Sequence, residues 1–245
     1  MAVVVSGGTR GIGLEIAAAL ATPGATVVLG YHRDAAVAAA ARDRVAARGA
    51  HPVTVPSDVG TPEGAAELLA AVPDGENVDQ LVHCAVEVVP GDATEADPGR
   101  FDHAVAVNGM GLLHLTRAAR PRLRRGSLVL FVSSRGGRVV IPGYAAVGVG
   151  KAAGEALVRY LAVELAPQGV RVNAVAPGML DTAAVRTLFG DRTEAVLAAK
   201  ADSIPAGRGL RHDDYLGLVA FLASPAAEMV TGQTIAVYGG ADLLG

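Results

Sequence analysis

Two side chains that can do chemistry, Tyr144 and Lys151, stand in an otherwise apolar stretch at residues 142–151. If this segment is helical, residues seven positions apart lie two turns apart on nearly the same face. A tyrosine hydroxyl can donate a proton or stabilise an oxyanion, and a nearby ammonium favours its ionised form. We therefore treat the pair as a candidate acid site. The alternative is a half-buried packing tyrosine beside a solvated lysine.

A glycine-rich turn lies near the start of the chain. Residues 2–5 form an apolar run typical of a strand buried on both faces, and residues 14–20 form a good helix. The turn between them is an anion site, because free N–H groups and the helix dipole point at it and glycine lets a phosphate approach closely. We expect this nucleotide-binding turn to use Gly7, Thr9, Arg10, Gly11, Ile12 and Gly13.

The second predicted strand, residues 26–30, is followed by Tyr31, His32 and Arg33. In dinucleotide-binding folds an acidic residue at this place holds the ribose diol of NAD, whereas a basic residue accommodates the extra phosphate of NADP. No acidic residue stands at the end of this strand, and both Arg33 and Arg10 are placed to reach that phosphate. The pattern favours NADP(H) over NAD(H).

Strand-like and helix-like segments alternate along the rest of the chain. This alternation implies a parallel sheet with helices on both faces. No linker-like composition shift divides the 245 residues, so we predict a single domain, residues 1–245, with an α/β Rossmann-type doubly wound fold. The predicted strands are 26–30, 53–55, 80–85, 127–134 and 170–178, and the predicted helices include 35–49 and 62–72.

Composition excludes several classes of function. A net charge of -3 and an aromatic content of 4% argue against nucleic acid as a partner. The single cysteine, Cys84, permits neither an intramolecular disulfide nor a cysteine metal cluster, and we predict no metal site. The chain starts without a basic region followed by a long apolar run, and no apolar stretch reaches membrane-spanning length. We expect a cytoplasmic protein without a membrane partner.

The glycine motif, the turn at Asp58 and the later motifs resemble the short-chain dehydrogenase/reductase superfamily over essentially the whole chain. In that family the turn after the fourth strand usually reads Asn-Asn-Ala-Gly. Here it begins with His83 and a small residue, which is similar to enoyl-acyl-carrier-protein reductases. Asn108 matches a helix asparagine that can bind a water in a proton relay; the alternative is a polar residue that kinks the helix. The resemblance implies further cofactor contacts at Asp58, Val59, Cys84 and Ala85.

The spacing of the tyrosine departs from the common pattern of the family. Most members carry Tyr-x3-Lys, with the tyrosine 13 positions after the second serine of the fifth strand, here Ser134. That position holds Val147, which cannot donate a proton, while Lys151 is retained and Tyr144 stands seven positions before it. Tyr-x6-Lys resembles enoyl-acyl-carrier-protein reductases, most closely the NADPH-dependent type called enoyl reductase III. The resemblance implies that Tyr144 is the acid, Lys151 binds the nicotinamide ribose, and Ser134 is a catalytic or vestigial carbonyl contact.

The position of Tyr144, one helical turn before the usual tyrosine position, has a physical explanation. In ketone reduction, hydride and proton go to the two atoms of one C=O bond. In reduction of an α,β-unsaturated thioester, hydride goes to the β carbon and negative charge develops on the more distant thioester oxygen. Moving the phenol one helical turn, roughly 5 Å, fits that separation.

The last third of the chain extends the resemblance. It implies contacts of Pro177, Gly178 and Thr182 with the nicotinamide and pyrophosphate, and a mobile substrate lid at about 180–210. An apolar lid beside basic groups suits an acyl chain on a phosphorylated carrier, although solvated helix faces are the alternative for each charge. The basic run 120–125 could contact an acidic carrier protein or be an exposed loop. The basic residues of the lid are Arg186, Arg192, Lys200 and Arg208.

The sequence therefore predicts NADPH-dependent reduction of the C=C bond of an enoyl thioester, carried by acyl carrier protein or coenzyme A, in fatty-acid or secondary-metabolite biosynthesis. Two alternatives stay open. One is a carbonyl reductase of the ketoacyl or polyketide type with a displaced acid, and the other is a redox-silent NADP-binding relative, because fold does not fix function. The resemblance also implies a homotetramer.

Overall fold

The computed structural model describes residues 1–241 and places seven strands in one parallel sheet, in the order β3-β2-β1-β4-β5-β6-β7. The predicted parallel sheet is confirmed. The strands are β1 (Ala2–Ser6), β2 (Thr26–Tyr31), β3 (His51–Pro56), β4 (Val78–His83), β5 (Leu128–Val132), β6 (Arg171–Pro177) and β7 (Thr234–Val237).

Helices cover both faces of this sheet, as the alternating sequence predicted. They are α1 (Gly11–Leu20), α2 (Ala35–Ala46), α3 (Pro62–Ala70), α4 (Pro98–Val105), α5 (Gly111–Ala119), α6 (Ala145–Leu165), α7 (Ala183–Phe189), α8 (Thr193–Ser203) and α9 (Asp213–Ala223). A π-helical segment, Ala106–Met110, joins α4 to α5. None of the helices in residues 1–241 is long and apolar enough to cross a membrane.

Strand β1 shows how the sheet separates two apolar layers. Its side chains alternate in direction, so Val3 and Val5 pack with buried residues of α1, α2 and α9, while Ala2 and Val4 pack with those of α3, α5 and α6. Every residue of β1 is buried, which explains the continuous apolar run in the sequence.

The edge strand β3 is longer than the sequence predicted. The sequence predicted a strand at 53–55, and the observed strand also includes prolines at positions 52 and 56, although proline cannot donate a hydrogen bond to a ladder. In the structure the His51 N–H donates to Ala25, directly before β2, and the Ser57 N–H donates to Tyr31 of β2, while Pro52 and Pro56 occupy alternate positions that need no such bond. The predicted helix 35–49 also ends early, at Ala46, and Gly49 adopts φ +78° in the turn that follows.

The sheet has its topological switch point between β1 and β4. Chain connections leave this pair in opposite directions, so a crevice opens beyond the carboxyl ends of the two strands. The turn after β1 and the segment after β4 meet there closely. Gly7, with φ +64°, would place a Cβ 2.8 Å from Ala85 N, so a larger residue would collide with the backbone.

Candidate active site

A cleft of about 660 Å³ occupies this switch point, a size typical of ligand sites. It is lined by the ends of β1, β2, β3 and β4 on one side and by α7 and α8 on the other. Every residue that the sequence predicted as a cofactor contact borders it. These residues are Gly7, Thr9, Arg10, Gly11, Ile12, Gly13, Arg33, Asp58, Val59, Cys84, Ala85, Lys151, Pro177, Gly178 and Thr182.

The glycine turn forms the anion-binding end of the cleft. Arg10 is the N-cap of α1 and has no side-chain cap bond, so the first N–H groups of the helix face the cleft without a side-chain acceptor from the cap. Gly11 adopts φ +53° and faces Thr182 across the opening. Arg10 and Arg33 both line this end, and neither guanidinium makes an ion pair within residues 1–241. The residues present thus fit a phosphorylated dinucleotide.

The unusual residue His83 organises the turn after β4. Its Nε2 lies 3.0 Å from the carbonyl of Val107, which can only accept, so Nε2 carries the proton. Its Nδ1 therefore accepts from Ser6 Oγ at 2.7 Å, and Ser6 Oγ in turn accepts from the backbone N–H of Cys84 at 3.2 Å. Burial, reinforced by the positive charge of Lys151, lowers the pKa of His83 to about 3. A neutral histidine thus supports the turn in place of the usual asparagine.

Lys151 is a buried cation at the base of the cleft. It donates a 2.7 Å hydrogen bond to the carbonyl of Val132 and lies 4.7 Å from the ring centroid of Phe131. Burial lowers the pKa of Lys151 to about 8. Within residues 1–241 the ammonium has one acceptor, so two N–H donors are left for a bound molecule.

Tyr144 is the N-cap of α6 rather than a residue within the helix, since its backbone angles, φ -116° and ψ 13°, are not helical. Gly143, with φ +72°, forms the turn that precedes it. Its hydroxyl donates toward Ser134 Oγ at 3.5 Å, a long contact. The phenol, Ser134 and Lys151 all line the cleft, as the sequence predicted. Gly136 is a further requirement that sequence reasoning missed, since a Cβ there would lie 2.6 Å from the Tyr144 ring.

The expected effect of the ammonium on the phenol is wrong. Sequence spacing suggested that Lys151 would favour ionised Tyr144, but burial raises the pKa of Tyr144, and the Ser134 contact lowers it only in part. The phenol thus stays protonated at neutral pH and is suited to donate rather than accept a proton.

Asn108 and Val147 do not line the cleft. Asn108 is fully buried in the π-helical segment, where Nδ2 donates to the Glu87 carbonyl at 2.7 Å and Oδ1 accepts from the Glu87 N–H at 3.2 Å. The distorted helix that was the alternative for Asn108 is present, and its part in a proton relay stays a prediction. Val147, at the usual tyrosine position, is 1% exposed.

A charged cluster that the sequence analysis missed borders the cleft. His103 on α4 contacts Asp58 Oδ2 through Nε2 at 2.8 Å and Glu87 Oε2 through Nδ1 at 2.6 Å. Asp58 and Glu87 both line the cleft. No local pattern reveals the cluster, because the three residues come from three separate elements.

The predicted lid, 180–210, contains α7 and α8, and its Leu188 and Phe189 form an apolar wall of the cleft together with the adjacent Met179. Of its predicted basic residues, Lys200 lines the cleft. Two others are held elsewhere: Arg186 pairs with Asp181, and Arg208 pairs with Asp214.

The basic run 120–125 is tied to the protein surface. Arg122 donates to the carbonyls of Val72 and Pro73, and Arg124 pairs with Asp79. Residues 120, 121 and 124–126 are exposed, and a contact of this run with a carrier protein stays a prediction.

Comparison with known proteins agrees with this geometry. A family model described as Enoyl-(Acyl carrier protein) reductase matches residues 7–242. An uncharacterized oxidoreductase of Methylorubrum extorquens is 37% identical over 97% of this chain and 96% of that protein. The 1-cyclohexenylcarbonyl-CoA reductase of Streptomyces collinus is 31% identical over 98% of this chain and 86% of that protein.

Among solved structures, the angucycline C-6 ketoreductase LanV with bound NADP superposes with a TM-score of 0.87 and 28% identity, covering 99% of this chain and 95% of that chain. The similarity therefore extends over the whole fold and includes the elements that form the cleft. The chain belongs to the short-chain dehydrogenase/reductase superfamily, in the family described as Enoyl-(Acyl carrier protein) reductase.

Proposed function

We propose that this oxidoreductase uses NADPH to reduce the C=C bond of an enoyl thioester, with Tyr144 as the acid. One observation carries the proposal: Tyr144 brings a protonated phenol into the cleft that also holds Lys151, while the usual tyrosine position is a buried valine. The Streptomyces collinus relative is named for an α,β-unsaturated thioester, which supports the same substrate class.

The cofactor end of the cleft favours NADPH. The glycine turn and the start of α1 can bind the pyrophosphate, and Arg10 and Arg33 can neutralise the additional phosphate. Lys151 has two free N–H donors for the nicotinamide ribose hydroxyls. When bound, NADPH supplies the hydride.

The acid acts where charge develops. Addition of hydride at the β carbon moves the π electrons of the C=C bond onto the thioester oxygen. The Tyr144 hydroxyl donates to that oxygen, and the buried Lys151 cation adds a positive potential that stabilises it. The proton that Tyr144 gives to the oxygen forms an enol, which converts to the saturated thioester as a proton is gained at the α carbon and the oxygen proton is released. One hydride and one proton are thus added in all, and Tyr144 regains its proton from solvent.

The lid fits an acyl thioester with an anionic carrier. Met179, Leu188 and Phe189 offer an apolar wall for the acyl chain, and Lys200 adds one positive charge on the same side of the cleft. Acyl carrier protein and coenzyme A both carry the thioester on a phosphorylated pantetheine, so both fit this chemistry.

Carbonyl reduction is the second candidate, and the contact between Tyr144 and Ser134 favours it. A hydroxyl pair of this kind can bind a single carbonyl oxygen, and LanV, which superposes on the chain, is a ketoreductase. In that case Tyr144 would protonate the carbonyl oxygen itself.

Parallel assays of NADPH oxidation with a crotonyl thioester and an acetoacetyl thioester distinguish the two. We expect turnover of the crotonyl thioester, lost in Tyr144→Phe and retained in Tyr160→Phe, which removes an exposed hydroxyl from the same helix. Turnover of the acetoacetyl thioester alone would select the ketoreductase. Binding of NADPH without turnover of either substrate would identify a redox-silent relative.

A further inference from the structure

The imidazole of His103 joins two carboxylates that border the cleft. The distances are 2.8 Å from Nε2 to Asp58 Oδ2 and 2.6 Å from Nδ1 to Glu87 Oε2. The three side chains are 34%, 33% and 32% exposed, so a bound ligand could reach them while solvent screens them only in part.

The geometry favours a charged imidazole. A neutral histidine has one N–H group and could donate to one carboxylate, leaving a lone pair facing the other. Asp58, after β3, and Glu87, after β4, are the titratable groups that face His103 within residues 1–241, and both are acidic. The hydrogen bond to Asp58, followed by that to Glu87, raises the pKa of His103.

Each carboxylate belongs to a fixed wall of the cleft. Asp58 Oδ1 accepts from the Gly60 N–H at 3.0 Å, which leaves Oδ2 directed at His103. The backbone of Glu87 is held by the Asn108 side-chain amide, whose Oδ1 accepts from its N–H and whose Nδ2 donates to its carbonyl. His103 therefore connects the end of β3 to the segment that follows β4.

We propose that His103 is a positioning residue for the adenine end of the cofactor, whose imidazolium orients the Asp58 carboxylate and fastens it to the wall that contains Glu87. The adenine end is assigned from Arg33 and Asp58, which follow β2 and β3 on the outer side of the phosphate turn. This inference rests on the proposed use of NADPH and is independent of whether C=C or C=O is reduced.

Calorimetric binding of adenosine 2′,5′-bisphosphate tests the proposal. This probe carries the adenine and the extra phosphate but lacks the nicotinamide ribose, so the titration of Lys151 does not enter. Because the pKa of His103 lies above its ordinary value, we expect wild-type affinity to weaken as pH rises through that raised pKa and the imidazole loses its proton. His103→Gln should bind roughly tenfold more weakly at neutral pH, because a hydrogen-bonded charge that orients Asp58 is lost, and its affinity should no longer change over this pH range.

Two further variants make the test specific. Glu87→Gln removes one of the two facing charges, so the pH step should move to lower pH. His51→Gln is the matched control, an exposed histidine on β3, and should keep the wild-type step. Thermal melting of each variant establishes that it is folded.

The outcomes separate this inference from the proposed function. Wild-type affinity and an unchanged pH step in His103→Gln would overturn the positioning role alone. Failure of the wild type to bind either the bisphosphate or NADPH would overturn the proposed cofactor, and this inference with it. A pH step that stays in place in Glu87→Gln would also contradict the assignment to His103.

Discussion

The Tyr144 hydroxyl lies 3.5 Å from Ser134 Oγ, and this contact joins the start of α6 to the residues after β5. The distance is long for an O–H···O bond, so this contact is weak and the hydroxyl remains available to a substrate oxygen. Ser134 Oγ also accepts the Gly136 N–H at 3.2 Å, so the serine is anchored independently of the phenol. The tyrosine can thus act without the serine.

The substitution Ser134→Ala measures this independence. In enoyl reduction the substrate oxygen meets Tyr144, so we expect crotonyl turnover to fall less than about tenfold. In carbonyl reduction the serine would be an oxyanion donor, and its loss should cost roughly a hundredfold or more in kcat. The measurement is kcat for both thioesters, and a hundredfold loss confined to the crotonyl thioester would contradict the displaced-acid proposal.

The buried Lys151 gives activity an alkaline limit. Because burial lowers its pKa to about 8, the ammonium is present below that pH and lost above it. The unfolded lysine keeps its proton to about pH 10.4, so between these values the native state binds fewer protons and folding stability rises with pH. We therefore expect kcat/KM to fall above about pH 8 while the protein stays folded. A profile that remains flat to pH 10 in folded protein would contradict the role of the cation.

Much of the nucleotide site could be predicted from the sequence because its residues are neighbours along the chain. The glycine turn follows β1 directly, and Arg33 follows β2, so each position comes from one local motif. Tyr144 and Lys151 share the cleft because they flank the first turns of one helix.

The remaining features depend on which elements lie side by side. His103 meets Asp58 across 45 positions and Glu87 across 16, and these contacts exist only after α4 packs beside the ends of β3 and β4. The pKa of Tyr144 could not be predicted from the sequence for a related reason. Spacing reveals which charges are near in sequence, whereas desolvation depends on everything packed around the phenol.

A stability test follows from the buried His83. Its folded pKa of about 3 lies below the unfolded value of about 6.5, so stability is fully present above pH 6.5 and falls as pH decreases toward 3. Between pH 6.5 and 5 most carboxylates have not yet titrated, and the decline should come largely from this residue. We expect His83→Gln to reduce that slope in chemical denaturation, at a cost of about 1–3 kcal/mol at pH 7 from groups left unpaired. If His83→Gln leaves the dependence of stability on pH unchanged, the pKa of His83 in the folded protein is not lowered by burial.

Exposed apolar side chains on α6 form a candidate interface between copies of this chain. Tyr160 is 70% exposed and Val163 is 75% exposed, although the opposite face of this helix is buried. We expect a tetramer in solution, with this face covered by another copy. Light scattering after size exclusion should show Val163→Glu dissociating to smaller species while Tyr160→Phe, which keeps the ring, does not. A wild-type monomer would contradict the expectation.

Lys200 offers a test of the carrier. If its charge meets a phosphate of the pantetheine carrier, Lys200→Ala should raise KM for crotonyl-coenzyme A roughly fivefold, as loss of about 1 kcal/mol from a partly exposed ion pair would do. The N-acetylcysteamine thioester, which keeps the acyl group and lacks phosphates, should be unaffected. Arg208→Ala is the matched control, because Arg208 is paired with Asp214. Equal loss with both thioesters would instead indicate that Lys200 supports the lid, and the apolar wall alone would then define the substrate.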